Sequence, residues 1–257
     1  MIRVLYLGDS SLDKFAYLAC AFQSYGIEYE WYPEDKLPEV NTNLLNRFNV
    51  LCLSDCGAWR IGDSGLKDIE KFVKKGGGLI MFGGWETFQG INWRGELQGK
   101  YHATPVEDCL PVEISEKDDT YDSSHGYVMI KKCDHEILQN LDWSDAPTIG
   151  GFNEVKPKKD SAILLTLREI VPSGTDKVEK IALDEKEYPL LVTGTYANGA
   201  SIAFTCDPTI HSVAQFVDWG KAKVVTLPDG TTRQIGENYL KLISRMVYWV
   251  AKEKINF

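Results

Sequence analysis

Basic residues are in deficit in this chain: Lys and Arg number 28 against 37 Asp and Glu, a net charge of −9 over 257 residues. No basic cluster is denser than Lys74-Lys75, Lys131-Lys132 or Lys156 to Lys159. A nucleic-acid footprint needs a basic face, so DNA and RNA are not expected partners, and an anionic membrane surface is disfavoured for the same reason. Long apolar runs are missing as well, since none approaches the roughly 18 residues of a membrane-spanning helix. The N-terminus, Met1-Ile2-Arg3-Val4-Leu5-Tyr6-Leu7, enters a strand pattern without the basic segment and apolar run of a secretory signal, so a cytoplasmic protein is expected. The six cysteines are scattered and include no Cys-x-x-Cys pair, which excludes a zinc ribbon or thioredoxin-type site. Cys20, Cys52 and Cys206 fall in apolar patterns and read as reduced core thiols. The four histidines form no His-Glu-x-x-His motif. The acidic run Asp118-Asp119 with Asp122 lacks the glycine and closing glutamate of an EF-hand loop and reads as a solvated loop. Neither a metal nor a cofactor is expected. With no internal repeat and no Pro-, Gly- or Ser-rich linker, residues 1–257 are expected to form a single domain.

What is present is a βα rhythm. Residues 2–7 and 49–54 are apolar strand patterns, 27–32 alternates with period two, and 78–82 reads as a fully buried strand. Phe15, Leu18, Ala19 and Phe22 recur at helical spacing after the first strand, and Gly26 stops them. Leu66, Ile69, Phe72 and Val73 form a second stripe, capped by Asp63 or Ser64 and closed by Lys74-Lys75-Gly76. Repeated units of this kind predict an α/β fold with an open, mostly parallel sheet of flavodoxin-like order and helices on both faces. The second half predicts β-hairpin insertions. Strands 162–167 and 189–196 flank a charged excursion, Ala197-Asn198-Gly199-Ala200 predicts an Asn-Gly turn into 201–206, and Lys223 to Ile235 folds back around Pro228-Asp229-Gly230. A helix over 237–252 turns Leu240, Ile243, Val247 and Val250 to the core.

Ligands of such sheets bind beyond the carboxyl ends of the strands. Asp9 and Ser10 follow the first strand, Ser54, Asp55 and Cys56 follow the third, and Gly84 and Trp85 follow 78–82, so these seven are candidate substrate-binding residues. Each also suits an ordinary cap or turn. Gly83-Gly84 allows close backbone approach and can aim amide groups at an anion or carbonyl oxygen. Trp85 would form an apolar wall or stack on a sugar ring; packed in the core, it would serve neither purpose. Glu86 is a candidate acid–base group once desolvated, and Asp207 with His211 offers a carboxylate and an imidazole just beyond another strand.

These residues carry a resemblance. Leu53-Ser54-Asp55, the segment from Gly76 to Gly90, Thr104-Pro105 with Leu110-Pro111-Val112, Tyr196 through Asp207-Pro208 and the aromatic-rich closing helix from Tyr239 to Trp249 resemble a family of glutamine amidotransferase-like proteins. That family is related more distantly to trehalose-utilisation-type proteins. The resemblance implies a class I glutamine amidotransferase-like, flavodoxin-like fold. Class I enzymes carry a Gly-x-Cys-x-Gly elbow and a His-x-Glu pair; here Trp85 occupies the elbow and Ser212-Val213 follows His211. Without the elbow thiolate there is no ordinary thioester route to ammonia. Three expectations follow. The chain is a hydrolase or transferase acting without a Cys triad on a small polar metabolite or sugar derivative; or it is a non-catalytic ligand-binding or assembly module, with a homo-oligomer compatible with either; or it is a hydrolase using Cys56 as a displaced nucleophile.

Overall fold

The computed structural model describes residues 1–92, 94–173, 180–209 and 215–257. The first half alternates β1 (Arg3–Gly8), α1 (Leu12–Ser24), β2 (Glu28–Tyr32), α2 (Thr42–Leu45), β3 (Val50–Ser54), α3 (Ala58–Lys74) and β4 (Gly78–Phe82). There follow α4 (Pro105–Cys109), β5 (Val112–Glu113), β6 (Thr120–Lys131), β7 (Thr148–Asn153), β8 (Lys156–Pro157), β9 (Ala162–Ser173), β10 (Lys180–Leu183) and β11 (Tyr188–Tyr196). The chain then forms β12 (Gly199–Phe204), the hairpin β13 (Ala222–Thr226) and β14 (Thr232–Gly236), and α5 (Glu237–Val250).

One ten-stranded sheet organises these elements in the order β2-β1-β3-β4-β12-β11-β9-β6-β7, with β10 paired to β9. The first five strands are parallel and follow the flavodoxin-like order, β12 taking the fifth place. From β12 onward the neighbours are antiparallel. Parallel strands must be covered on both faces, and β3 and β4 are buried at every residue. The alternation of side chains divides them between two cores. Val4, Tyr6, Cys52, Ile80 and Phe82 pack with α1 and α5, while Leu5, Leu51, Leu53, Leu79 and Met81 pack with α2, α3 and α4. Cys20, Cys52 and Cys206 are free and buried, as their apolar settings predict.

Local departures from expectation have physical causes. Helix α3 begins at Ala58, bends at Gly62 (φ 74°) and resumes at the expected cap, so the apolar stripe revealed only its second part. The strand-like reading of 110–114 is shortened to β5, because Thr104 and Pro105 start a one-turn helix first and the Thr104 side chain accepts from the Glu107 amide. The turn between β11 and β12 falls one residue earlier than the Asn-Gly signal implies. Tyr196 pairs with Gly199, and Ala197 takes the left-handed conformation (φ 50°). Gly199 serves close approach instead, since a Cβ there would collide with the backbone oxygen of Val73 at the end of α3.

These two positions therefore respond with opposite signs. Gly199→Ala is expected to lower stability by about 1–3 kcal/mol through overpacking, and Ala197→Gly to raise it by up to about 1 kcal/mol through relief of the left-handed Ala. Denaturant midpoints of the two variants check this; a Gly199→Ala protein as stable as the parent would refute the close-approach role.

Candidate functional site at the carboxyl edge of the parallel strands

The chain leaves β4 through Gly83 and Gly84, and the conformation there is set by neighbours from distant parts of the sequence. Asn153, the last residue of β7, is buried. Its Oδ1 accepts from the Gly84 amide at 2.8 Å, and its Nδ2 donates to the Gly84 carbonyl at 3.2 Å and to Asp119 Oδ1 at 2.8 Å. The Asn153 amide donates to the Thr205 carbonyl at 2.8 Å, just beyond β12. A Cβ on Gly83 would strike the Thr205 backbone, and one on Gly84 (φ 150°) would strike Asp55 Oδ1. The two glycines thus admit Asn153, Thr205 and Asp55. The Gly84 amide, expected to face a ligand, is committed to Asn153.

A cavity of about 820 Å³ opens beside this junction. Of the residues expected at a site, Ser10, Asp55, Gly84, Trp85, Glu86 and Asp207 line it. They come from the ends of β1, β3, β4 and β12, which a parallel sheet brings to one edge. Trp85 is 53% exposed and forms part of the wall, so it is not a core residue. Asp9, Ser54 and Cys56 are placed elsewhere: all three are buried and none lines the cavity. The left-handed turn at Asp9 (φ 53°) lets its amide donate to the Ser54 carbonyl at 3.0 Å, while its side chain accepts from the Tyr6 hydroxyl. Cys56 is enclosed, with its carbonyl accepting from the Tyr101 hydroxyl at 2.6 Å, and burial drives its thiol well above the ordinary range. His211 lies outside the described residues.

Sequence reasoning missed part of the wall. Lys14 projects from the first turn of α1, Glu34 comes from the turn after β2, and residues 120–124 and 150–153 arrive from β6 and β7. The acidic run around 118–122 is not a uniformly solvated loop: Asp119 is buried and Asp122 lines the cavity. The signal in its composition was acidity, which does not distinguish the two fates. Among the described residues, no group of three or more His, Cys, Asp and Glu side chains is placed to hold a metal ion.

Carboxylates crowd this edge. Asp55 Oδ2 accepts from Lys14 Nζ at 3.1 Å, and its Oδ1 accepts from the Glu86 amide at 3.3 Å. Burial lifts Asp207 to about 6, with repulsion from Asp55 adding to it, against hydrogen bonds from Thr209 and attraction from Lys14. Burial, Asp207 and Asp55 together push Asp9 well above the usual carboxylate range. Burial opposes the Lys14 ammonium, but Asp55, Asp207 and Asp9 outweigh it and hold the charge in place. A second group joins Glu34 and Glu86. Arg60 reaches Glu34 Oε2 at 3.5 Å and Glu86 Oε2 at 3.3 Å. Burial, then a hydrogen bond with Glu86 and its charge, raise Glu34 to about 7. Near neutral pH Glu34 therefore keeps part of its proton.

Two measurements follow. Iodoacetamide is expected to modify the exposed Cys133 of the native protein while Cys56 stays protected until unfolding; equal rates would revive the displaced-nucleophile mechanism. Asp207 binds its proton more tightly folded than unfolded, so the native state loses stability as pH rises from about 4 through about 6. Asp207→Asn keeps an acceptor for Thr209 and removes this titration. Relative to that variant, the parent should lose on the order of 2 kcal/mol between pH 4 and 7.5 by denaturant unfolding, whereas parallel curves would refute the assignment.

Similarity to known proteins agrees with this architecture. Among the described residues no helix is long and apolar enough to cross a membrane. No curated protein matches the chain. Of solved structures, the cytoplasmic protein STM3548 from Salmonella typhimurium is similar over 96% of this chain and 98% of its own, with 22% identity and a TM-score of 0.73. The cytoplasmic protein STM1381 from the same species is similar over 97% of this chain and 99% of its own, with 21% identity and a TM-score of 0.70. A ThuA-like protein from Bacteroides uniformis is similar over 96% of this chain and 90% of its own, with 12% identity and a TM-score of 0.55. At these identities the likeness is one of fold. The family model described as "Putative glutamine amidotransferase" matches residues 34–227, the greater part of the chain. This chain belongs to that glutamine amidotransferase-like family.

Proposed function

We propose that the cavity is the reaction site of a cytoplasmic hydrolase or transferase acting on a small polar metabolite, a sugar derivative by class, through acid–base chemistry without a covalent thiol. The observation that carries this reading is that Glu34 and Glu86 stand together on the cavity wall, both within reach of Arg60, with Glu34 raised to about 7, by burial first. A pair in which Glu34 keeps its proton near neutral pH beside a second carboxyl group offers an acid and a base at once. In the ionised member, water finds an acceptor for its proton; in the protonated member, the substrate oxygen or nitrogen finds a donor. Arg60, within 3.5 Å of Glu34 and 3.3 Å of Glu86, limits the repulsion when the pair ionises further. Asp55 orients Glu86 through its backbone amide, and Trp85 supplies a flat apolar surface for a sugar ring.

A second reading, a non-catalytic binding module, is favoured by one observation: the Gly84 amide that an acyl-transfer elbow would use is occupied by Asn153. The two readings separate in one assay. Amide, ester and glycoside derivatives of monosaccharides are offered to the native protein and to Glu86→Gln, with release of ammonia, acid or sugar followed. Turnover by the parent is expected to fall by about 10²–10⁴-fold in Glu86→Gln while the unfolding curve is retained. The parent's rate is expected to decline as pH rises beyond about 7, where Glu34 loses its proton. Binding without turnover, equal in both proteins, would establish the binding module instead.

A further inference from the structure

The chemical class of the ligand can be narrowed from the charges that surround the cavity, an inference that rests on the cavity being the ligand site. Five carboxylates stand on its wall: Glu34, Asp55, Glu86, Asp122 and Asp207. Among the described lining residues Lys14 is the sole cation, and Asp55 holds it at 3.1 Å. Arg60 approaches from behind, but its guanidinium is engaged by Glu34 and Glu86. Behind the wall, Asp9 is fully buried and its Oδ1 has no hydrogen-bond partner. Even with a proton on Glu34, the surroundings remain negative.

An anionic ligand would enter this field without a free cation to meet it. A neutral sugar would satisfy hydrogen bonds but leave the excess charge unbalanced. A ligand that carries its own positive charge supplies what the side chains lack, because charge-assisted hydrogen bonds to carboxylates are the strong ones. The wall also presents Trp85, half exposed, whose indole face attracts both a sugar ring and a cation. At about 820 Å³ the cavity exceeds what a bare ammonium or a short amine fills, and suits a ring-bearing metabolite.

We propose that the site takes an amino sugar, a hydroxylated ring bearing a primary ammonium, with the ammonium drawn to the Asp55 and Asp207 carboxylates and the ring against Trp85. The carboxylates that repel one another in the empty cavity gain a counter-charge when it binds. The hydroxyls meet the short polar side chains of Ser10, Ser123 and Ser124.

Calorimetric titration and thermal shift at pH 6.5 decide the matter with matched probes: glucosamine, galactosamine and mannosamine, their parent hexoses, N-acetylglucosamine and glucuronate. At least one hexosamine is expected to bind, its parent hexose, the acetylated form and the acid more weakly. Asp207→Asn should weaken hexosamine binding by about tenfold, the loss of one charge-assisted contact. Trp85→Ala, distant from the carboxylate cluster in role, should weaken amine and hexose alike. Should a hexose or glucuronate bind as well as every hexosamine, and lose that binding in Trp85→Ala, the charge inference falls while the cavity remains the ligand site. Should no probe bind, the amino-sugar inference is overturned; turnover or binding of other substrates in the Glu86 assay then decides the functional reading on its own. Hexosamine binding unchanged in both variants would remove the ligand from this cavity and overturn both.

Discussion

The clasp between Asn153 and Gly84 connects the two halves of this molecule. A parallel strand that ends at a sheet edge leaves backbone groups without ladder partners, and buried ones must find others. Asn153 satisfies both the amide and the carbonyl of Gly84 from a strand 69 residues further along the chain. Its own amide is bound to Thr205, so the ends of β4, β7 and β12 are tied at one point. Asp119, accepting from Asn153 Nδ2 and from the Gln89 amide at 2.9 Å, fastens the start of β6 to the same knot. The antiparallel strands therefore serve as the far wall of the cavity and not as an appendage of the parallel sheet.

This knot also sets the state of the backbone amide after β4. In an elbow that transfers acyl groups, backbone amides beside the nucleophile await a developing oxyanion. Here the amide of Gly84 is already satisfied by Asn153. Cys56 and Cys206, at the ends of β3 and β12, are both sealed by burial and titrate far from neutrality. The ionisable groups on the cavity wall are mainly carboxylates.

Charge balance governs what remains. Lys14 and Arg60 neutralise part of two acidic groups, one around Asp55 and Asp207 and the other at Glu34 and Glu86. Burial prevents water from screening the rest, so protons stay: Glu34 titrates at about 7 and Asp207 at about 6. Such retained protons cost folding stability as pH rises. Polar strain of this kind is common where a surface is shaped for a ligand, because the groups are arranged for the bound state and not for the empty one.

The apolar periodicities of β1, β3, β4, α1 and α5 determined by themselves the parallel half of the sheet and its two cores, because burial of an alternating or helical stripe is a local demand. The same local reading placed Asp55, Trp85, Glu86 and Asp207 at strand ends, and strand ends on one edge of a parallel sheet must meet. Only the tertiary structure decided that Glu34 would join Glu86, that Asp119 would be buried, and that Asn153 rather than a ligand would take the Gly84 amide. It also moved Asp9 and Cys56 behind the wall and assigned Gly199 to close packing in place of the turn. The difference is physical. An apolar side chain needs only to leave water, which its neighbours in sequence can arrange, whereas a buried polar group needs one partner at one distance and angle, and here those partners lie tens of residues away.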